Sequence, residues 1–198
     1  NIALAKSLRK LGFTQSKTDS CIFFSRPANG QPPIYVAVYV DDILVAYDTN
    51  NQLSHLVNGL RTEYTVKDEG ALRWYLNMRI LRNSKNGAIT LDQSRYIAET
   101  LKEFNLAHCK PVSTPLNDKV TLTASMSPTT ERGKQSMVNK PYRALVGRLN
   151  YLACGSRPDI AVAFSQVSKY LNNPGPEHWQ AVMRIVRYLK EIGRAHVW

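Results

Sequence analysis

The run Ile34-Tyr35-Val36-Ala37-Val38-Tyr39-Val40-Asp41-Asp42-Ile43-Leu44-Val45-Ala46-Tyr47 constrains the fold of this chain more than any other stretch. β-Branched and aromatic residues dominate both arms, which suits two buried strands of a covered sheet. Asp41 and Asp42 then form the tight connection of a β-hairpin, where Asp is an ordinary turn residue. A rigid hairpin tip with two carboxylates is a platform for a divalent cation. Hard oxygen ligands favour Mg²⁺ or Mn²⁺, with positions left for water and phosphate oxygens. A solvated loop tip explains an isolated Asp-Asp hairpin equally well, and Tyr-x-Asp-Asp alone is weakly specific, so the rest of the sequence must decide.

Strand and helix signals alternate over residues 1–112, which argues for an α+β layer. Leu4, Leu8 and Leu11 share a helical face, Gly12 is placed as a C-cap, and Phe13 folds back on the helix. Cys21 to Phe24 reads as a short strand. Leu53, Leu56, Val57, Leu60 and Tyr64 follow helical spacing. Trp74 to Leu81 and Ala88 to Leu91 read as a second hairpin around the turn signal Asn83-Ser84-Lys85-Asn86-Gly87. Asp92 caps a helix whose apolar face is Ile97, Leu101 and Phe104.

Residues 113–140 are rich in Ser, Thr, Asn, Lys and Pro and read as a polar linker. Residues 141–198 then read as a three-helix bundle. Its faces are Tyr142, Leu145, Val146, Leu149, Leu152 and Ala153, then Ile160, Ala163, Phe164, Val167 and Leu171, then His178, Val182, Ile185, Val186 and Leu189. Pro174-Gly175-Pro176 separates the second helix from the third.

With 198 residues and 43% hydrophobic side chains the chain is long and apolar enough to fold. No stretch approaches the roughly 20 apolar residues of a membrane span, and no membrane partner is expected. Neither a signal peptide nor an initiator Met is present, so an intracellular fragment of something longer is expected. Cys21, Cys109 and Cys154 are widely spaced with no CxxC pair, which argues against a disulfide framework or structural zinc. The 26 Lys and Arg against 15 Asp and Glu leave a net charge of +11, densest in the C-terminal helical stretch. Such an excess favours a polyanionic partner or simply a basic soluble protein.

The order of these pieces resembles the reverse transcriptase of copia-type LTR retrotransposons, from the later palm into the region before RNase H. The resemblance rests on Leu11-Gly12-Phe13 with Asp19 to Phe23, Tyr39-Val40-Asp41-Asp42-Ile43-Leu44, and Gln93-Ser94-Arg95-Tyr96-Ile97. It continues through Tyr142-Arg143 with Gly147, Leu149 and Tyr151-Leu152, then Arg157-Pro158-Asp159-Ile160, His178-Trp179 and Arg187-Tyr188-Leu189-Lys190. For Arg194 to Trp198 no counterpart is recognised.

That resemblance implies a partial polymerase palm over 1–112 and a thumb- or connection-like helical region over 141–198. It implies that Asp41 and Asp42 are catalytic and bind Mg²⁺ (or Mn²⁺) for two-metal nucleotidyl transfer. Tyr39 and Val40 would lie beneath the primer terminus, and Leu76, Asn77 and Met78 would belong to a primer-gripping hairpin. The family usually has Phe-Leu-Gly where this chain has Tyr75-Leu76-Asn77. Arg143, Arg148, Arg184, Arg187 and Lys190 are candidate phosphate contacts, though scattered helix charges commonly face solvent. Implied partners are an RNA or DNA template–primer, deoxynucleoside triphosphates, and the integrase and RNase H of a Gag-Pol-type polyprotein in a cytoplasmic particle. The family's third palm Asp and its fingers lie upstream of Asn1, so the chain alone is expected to be inactive and marginally soluble. A non-catalytic basic nucleic-acid-binding module, or a decayed element copy without function, remain the alternative readings.

Overall fold

The computed structural model describes residues 2–26 and 30–191 and combines helices with two antiparallel sheets. Residues 194–198, for which no counterpart is recognised in the sequence, lie outside the described residues. The chain divides into two compact units, residues 1–70 and 71–198. The boundary expected near residue 112 therefore falls inside the second unit. No helix among the described residues is long and apolar enough to cross a membrane.

The first unit opens with α1 (Ile2–Lys10). Gly12 closes it at φ 87°, with the Phe13 amide donating to the Leu8 carbonyl and the Gly12 amide to that of Arg9. This is the Schellman pattern, and Leu8 and Phe13 are both buried. Four strands follow: β1 (Thr14–Gln15), β2 (Ile22–Ser25), β3 (Ile34–Tyr39) and β4 (Asp42–Ala46), paired in chain order. The helix α2 (Asn50–Arg61) starts after Thr49, where Gln52 Oε1 accepts the Asp48 and Thr49 amides.

One core joins Leu8 of α1, Leu56 and Leu60 of α2, and the sheet residues Phe23, Ile34, Val36 and Val38. The helices therefore cover a single face of the sheet. β3 alternates accordingly, with Ile34, Val36 and Val38 buried but Tyr35 and Tyr39 about half exposed (49% and 54%). The expected covered sheet is corrected to a half-covered one. The reason is that a period of two turns every second apolar side chain away from the helices.

The second unit begins with the three-stranded sheet of β5 (Trp74–Tyr75), β6 (Met78–Arg82) and β7 (Ile89–Asp92). The expected single strand from Trp74 to Leu81 is thus two strands folded at Leu76-Asn77. The N-cap of α3 (Ser94–Glu103) is Gln93, not Asp92 as expected; the Asp92 carboxylate, at the end of β7, accepts the Ser94 amide from one residue further out. Asn105, at φ 57°, ends the helix in a second Schellman pattern, with Leu106 donating to Leu101.

The helices α5 (Tyr142–Gly155), α6 (Ala161–Ser168) and α7 (Pro176–Glu191) bury the faces read from the sequence, and Ile97, Leu101 and Leu106 enter the same core. Helix α3 thus shares one core with α5, α6 and α7. The intervening stretch is ordered against it: it contains the short α4 (Glu131–Gln135), Tyr170 donates its hydroxyl to the Leu122 carbonyl, and His178 Nε2 meets the Thr123 carbonyl. A buried backbone needs such partners, and here the helices supply them.

Candidate functional site

In the first unit, register sets the carboxylates. Tyr39 pairs with Asp42 and Val38 with Ile43, leaving Val40-Asp41 as a two-residue turn. The expectation that the two aspartates together form the turn is corrected, because Asp42 is already the first residue of β4. Val40 has φ 53°, and Asp41 does not take a positive φ. A positive φ at the first turn position alone is the φ pattern of a type II′ turn, which favours Gly there. A β-branched residue in that conformation costs on the order of 1–3 kcal/mol.

Directly paired residues share a face, so Asp42 stands with Tyr39 on the open side of the sheet, in line with Tyr35, Ala37 and Leu44. Asp41 and Asp42 are both exposed, and β4 is an edge strand. Tyr39, Val40, Asp41 and Asp42 are thereby gathered at one hairpin tip. Two adjacent exposed carboxylates are suitable hard ligands for Mg²⁺ or Mn²⁺. Among the described residues no three His, Cys, Asp or Glu side chains converge on a point, so the pair has no third protein ligand there.

In the second unit, Tyr75 pairs with Met78, so Leu76-Asn77 is again a two-residue turn. Its φ values are 48° and 61°, positive at both positions as in a type I′ turn. Asn is the non-glycine residue that best tolerates this conformation, so Asn77 stands where the resembling family carries Gly without distorting the hairpin. Leu76 has no such tolerance. Its carbonyl accepts a hydrogen bond from the Tyr151 hydroxyl of α5. Met78 opens β6, half-buried, and the Arg95 guanidinium lies 5.9 Å from the centre of the exposed Trp74 ring.

The five candidate phosphate contacts all bond within the protein. Arg143 Nη2 donates to the Leu171 carbonyl (3.4 Å) and Asn172 Oδ1 (3.1 Å). Arg148 pairs with Glu103. Arg184 donates from Nε to the Leu116 carbonyl (3.0 Å) and from Nη2 to Thr114 Oγ1 (2.8 Å). Arg187 Nε reaches the Lys110 carbonyl and Lys190 Nζ the Cys109 carbonyl, both at 2.6 Å. The three cations of α7 thus clip residues 109–116 along the helix. Helical periodicity places them on a polar face but gives no sign that the chain returns over it.

Two further constellations were not legible as such. Arg157, 1% exposed, makes a bidentate pair with Asp159 (2.9 and 2.6 Å), and Tyr188 donates its hydroxyl to Asp159 Oδ2 (2.8 Å). Burial by itself raises the Asp159 carboxyl, but the Arg157 and Tyr188 hydrogen bonds outweigh it and hold the group below its ordinary value. His178 is fully buried; its Nδ1 accepts the Gly175 amide (2.9 Å), so Nε2 carries the proton donated to the Thr123 carbonyl (3.1 Å). Burial keeps this ring below its ordinary pKa, and Tyr170 stacks on it at 3.8 Å. Arg157 and Asp159 are therefore tied to α7 through Tyr188, and His178 ties the start of α7 to Thr123.

A family described as "Reverse transcriptase (RNA-dependent DNA polymerase)" matches residues 1–118. The chain is 38% identical over 178 residues to the "Retrovirus-related Pol polyprotein from transposon TNT 1-94" of Nicotiana tabacum, covering 90% of this chain and 13% of that protein. It is 32% identical over 188 residues to the "Retrovirus-related Pol polyprotein from transposon RE2" of Arabidopsis thaliana, covering 95% of this chain and 12% of that one. The "Putative transposon Ty5-1 protein" of Saccharomyces cerevisiae is 33% identical over 189 residues, 96% of this chain and 58% of its own. The chain thus spans about an eighth of the two Pol polyproteins (13% and 12%). No solved structure is significantly similar.

Proposed function

The chain belongs to the reverse transcriptase (RNA-dependent DNA polymerase) family, and on that premise we propose that it supplies the carboxylate hairpin of a retrotransposon polymerase, as part of a longer polyprotein. The observation that carries this reading is the hairpin tip itself. Asp41 and Asp42 are consecutive, exposed and fixed by a strained two-residue turn at the open face of a sheet packed on helices. Strain at an exposed tip that serves no core contact favours a functional role over a solvated loop.

In this reading Asp41 and Asp42 hold divalent Mg²⁺ or Mn²⁺, which supplies charge neutralisation for nucleotidyl transfer onto a primer 3′-hydroxyl. Tyr39 lies on the same face as Asp42 and forms the floor beneath the primer terminus, with Val40 setting the turn. The unit 1–70 is then the late part of a polymerase palm. Its β4 edge is open to a strand from the preceding polypeptide, which would bring the third carboxylate beside Asp42. The hairpin at Leu76, Asn77 and Met78 faces the primer. Template–primer and deoxynucleoside triphosphates are the substrates of the whole protein.

With only two carboxylates at the tip, this chain by itself is inactive. Primer extension with Mg²⁺ on an RNA template tests both halves of the reading. The isolated chain is expected to incorporate nothing, and the parent polyprotein is expected to lose incorporation on Asp41→Asn or Asp42→Asn. Template-dependent synthesis by the isolated chain would overturn its inactivity. Full activity of both variants in the parent would overturn the assignment of the hairpin.

A further inference from the structure

The turn between β5 and β6 has an anchor that the hairpin itself does not provide. In a two-residue hairpin the ladder bonds run between the flanking residues, here Tyr75 and Met78, and the first turn carbonyl has no partner in the ladder. That carbonyl belongs to Leu76, the residue least suited to its left-handed φ of 48°. Asn77 is tolerant of its own φ of 61°, but nothing in the Leu76 side chain favours the conformation it holds.

The missing support comes from 75 residues further along the chain, where the Tyr151 hydroxyl donates to the Leu76 carbonyl. The phenol is held firmly. Its ring meets Tyr96 of α3 edge-on, with centroids 4.7 Å apart and planes at 63°. The Arg148 guanidinium lies 5.2 Å from the Tyr96 ring centre and is itself paired with Glu103. The Tyr151 carbonyl accepts from Gln93 Nε2, and Gln93 Oε1 accepts from the Ser156 hydroxyl at 2.7 Å. Gln93 fits there because residue 155 is Gly; a Cβ at that position would come within 2.7 Å of Gln93 Oε1. Two helices and a buried amide thus fix one hydroxyl, and that hydroxyl fixes the turn.

We infer that Tyr151 is the positioning residue of the β5–β6 turn, holding Leu76 and Asn77 in the left-handed conformation in which the turn meets the primer end of a template–primer. The inference rests on the proposed primer-facing role of that hairpin. Tyr151 touches no substrate in this scheme, and it acts by fixing the Leu76–Asn77 peptide.

The test uses the 198-residue chain and its Tyr151→Phe variant, which keeps the ring and removes the hydroxyl. Amide exchange at Tyr75 and Met78 is expected to quicken about five-fold, the worth of one ordinary hydrogen bond, with a fall in melting temperature of no more than about 2–4 °C. Low-salt affinity for a labelled RNA–DNA template–primer is expected to fall by a similar, roughly five-fold, factor. The same pair is then compared in a Leu76→Asn background, where the first turn residue itself favours a positive φ. There Tyr151→Phe is expected to change exchange and affinity less than about two-fold, a coupling that a merely core-packing tyrosine would not show. Unchanged exchange at the tip, or an equal loss of affinity in both backgrounds, overturns the positioning role. A wild-type chain that does not bind template–primer overturns the primer-facing reading and this role with it. That outcome is distinct from failure of the tether alone, in which the wild type binds and Tyr151→Phe alters nothing.

Discussion

Tyr39 and Asp42 are cross-strand partners on the last rung before the β3–β4 turn, and both stand on the sheet face that α1 and α2 leave open. The phenol and the carboxylate are therefore neighbours, and Asp41 lies in the turn beyond them. A site with two carboxylates and no third protein ligand binds cations weakly, on the order of millimolar. Titrating Mn²⁺ into the isolated chain is expected to broaden amide resonances of residues 39–43 selectively. Asp41→Asn with Asp42→Asn is expected to abolish the effect, and uniform broadening across the chain would contradict the assignment.

Val40 is the strained member of that turn. Val40→Gly removes the positive-φ penalty but adds chain entropy to the unfolded state, so the net gain in stability is expected to be about 1 kcal/mol at most. Urea unfolding followed by amide exchange in β3 and β4 measures it. A loss of stability would show that the Val40 side chain contributes contacts that outweigh its backbone strain.

The Arg157–Asp159 pair is buried on the Arg side, so breaking it is expected to be costly in one direction. Asp159→Ala leaves the Arg157 charge uncompensated, with an expected loss of about 3–5 kcal/mol. Arg157→Met is expected to cost clearly less, because the Asp159 carboxylate keeps part of its solvent contact and the Tyr188 hydrogen bond. Equal losses from the two substitutions by chemical denaturation would contradict this asymmetry.

His178 makes the second unit sensitive to mild acid. Its pKa in the folded chain lies below the ordinary 6.5, so the unfolded state binds the proton more readily. The stabilisation is complete above about pH 6.5 and declines as pH falls below it. Protonation also displaces the Gly175 amide from Nδ1 and unties the start of α7. Melting temperature is expected to drop between pH 7 and 5, with a shallower slope in His178→Gln. Asp159, also lowered, acts in the same direction but only in the carboxylate range near and below its ordinary 3.8.

Asn105 closes α3 at φ 57°, where Ala would pay the left-handed penalty that Asn largely avoids. Asn105→Ala is expected to cost about 1 kcal/mol and Asn105→Gly to be neutral or stabilising. Thermal unfolding of the two variants side by side gives the sign directly.

Much of this molecule was legible in its amino-acid order. The apolar spacing in α2, α5 and α7, the Gly12 cap with Phe13 folded back, and the two apolar arms around Asp41-Asp42 are local patterns with local causes. Periodicity says which side chains share a face, and turn chemistry says where the chain reverses. The family itself follows from ordered motifs and matches residues 1–118.

Other features required the folded chain. Register moved the turn by one residue, to Val40-Asp41, because a ladder is set by which side chains reach the core rather than by which residues prefer turns. The Leu76-Asn77 reversal was hidden because Leu is not a turn former, and its conformation is held by Tyr151 from a distant helix. The cations of α7, candidate phosphate contacts by sequence, also clip the returning 109–116 segment, which helical spacing does not reveal. The elements, their faces and the carboxylate pair are readable from the amino-acid order alone, since they depend on neighbours a few residues away. The folded chain alone shows which face stays open, which turn is strained and which cations of α7 bond to the returning segment. Those outcomes depend on groups far apart in the chain, and no local pattern records them.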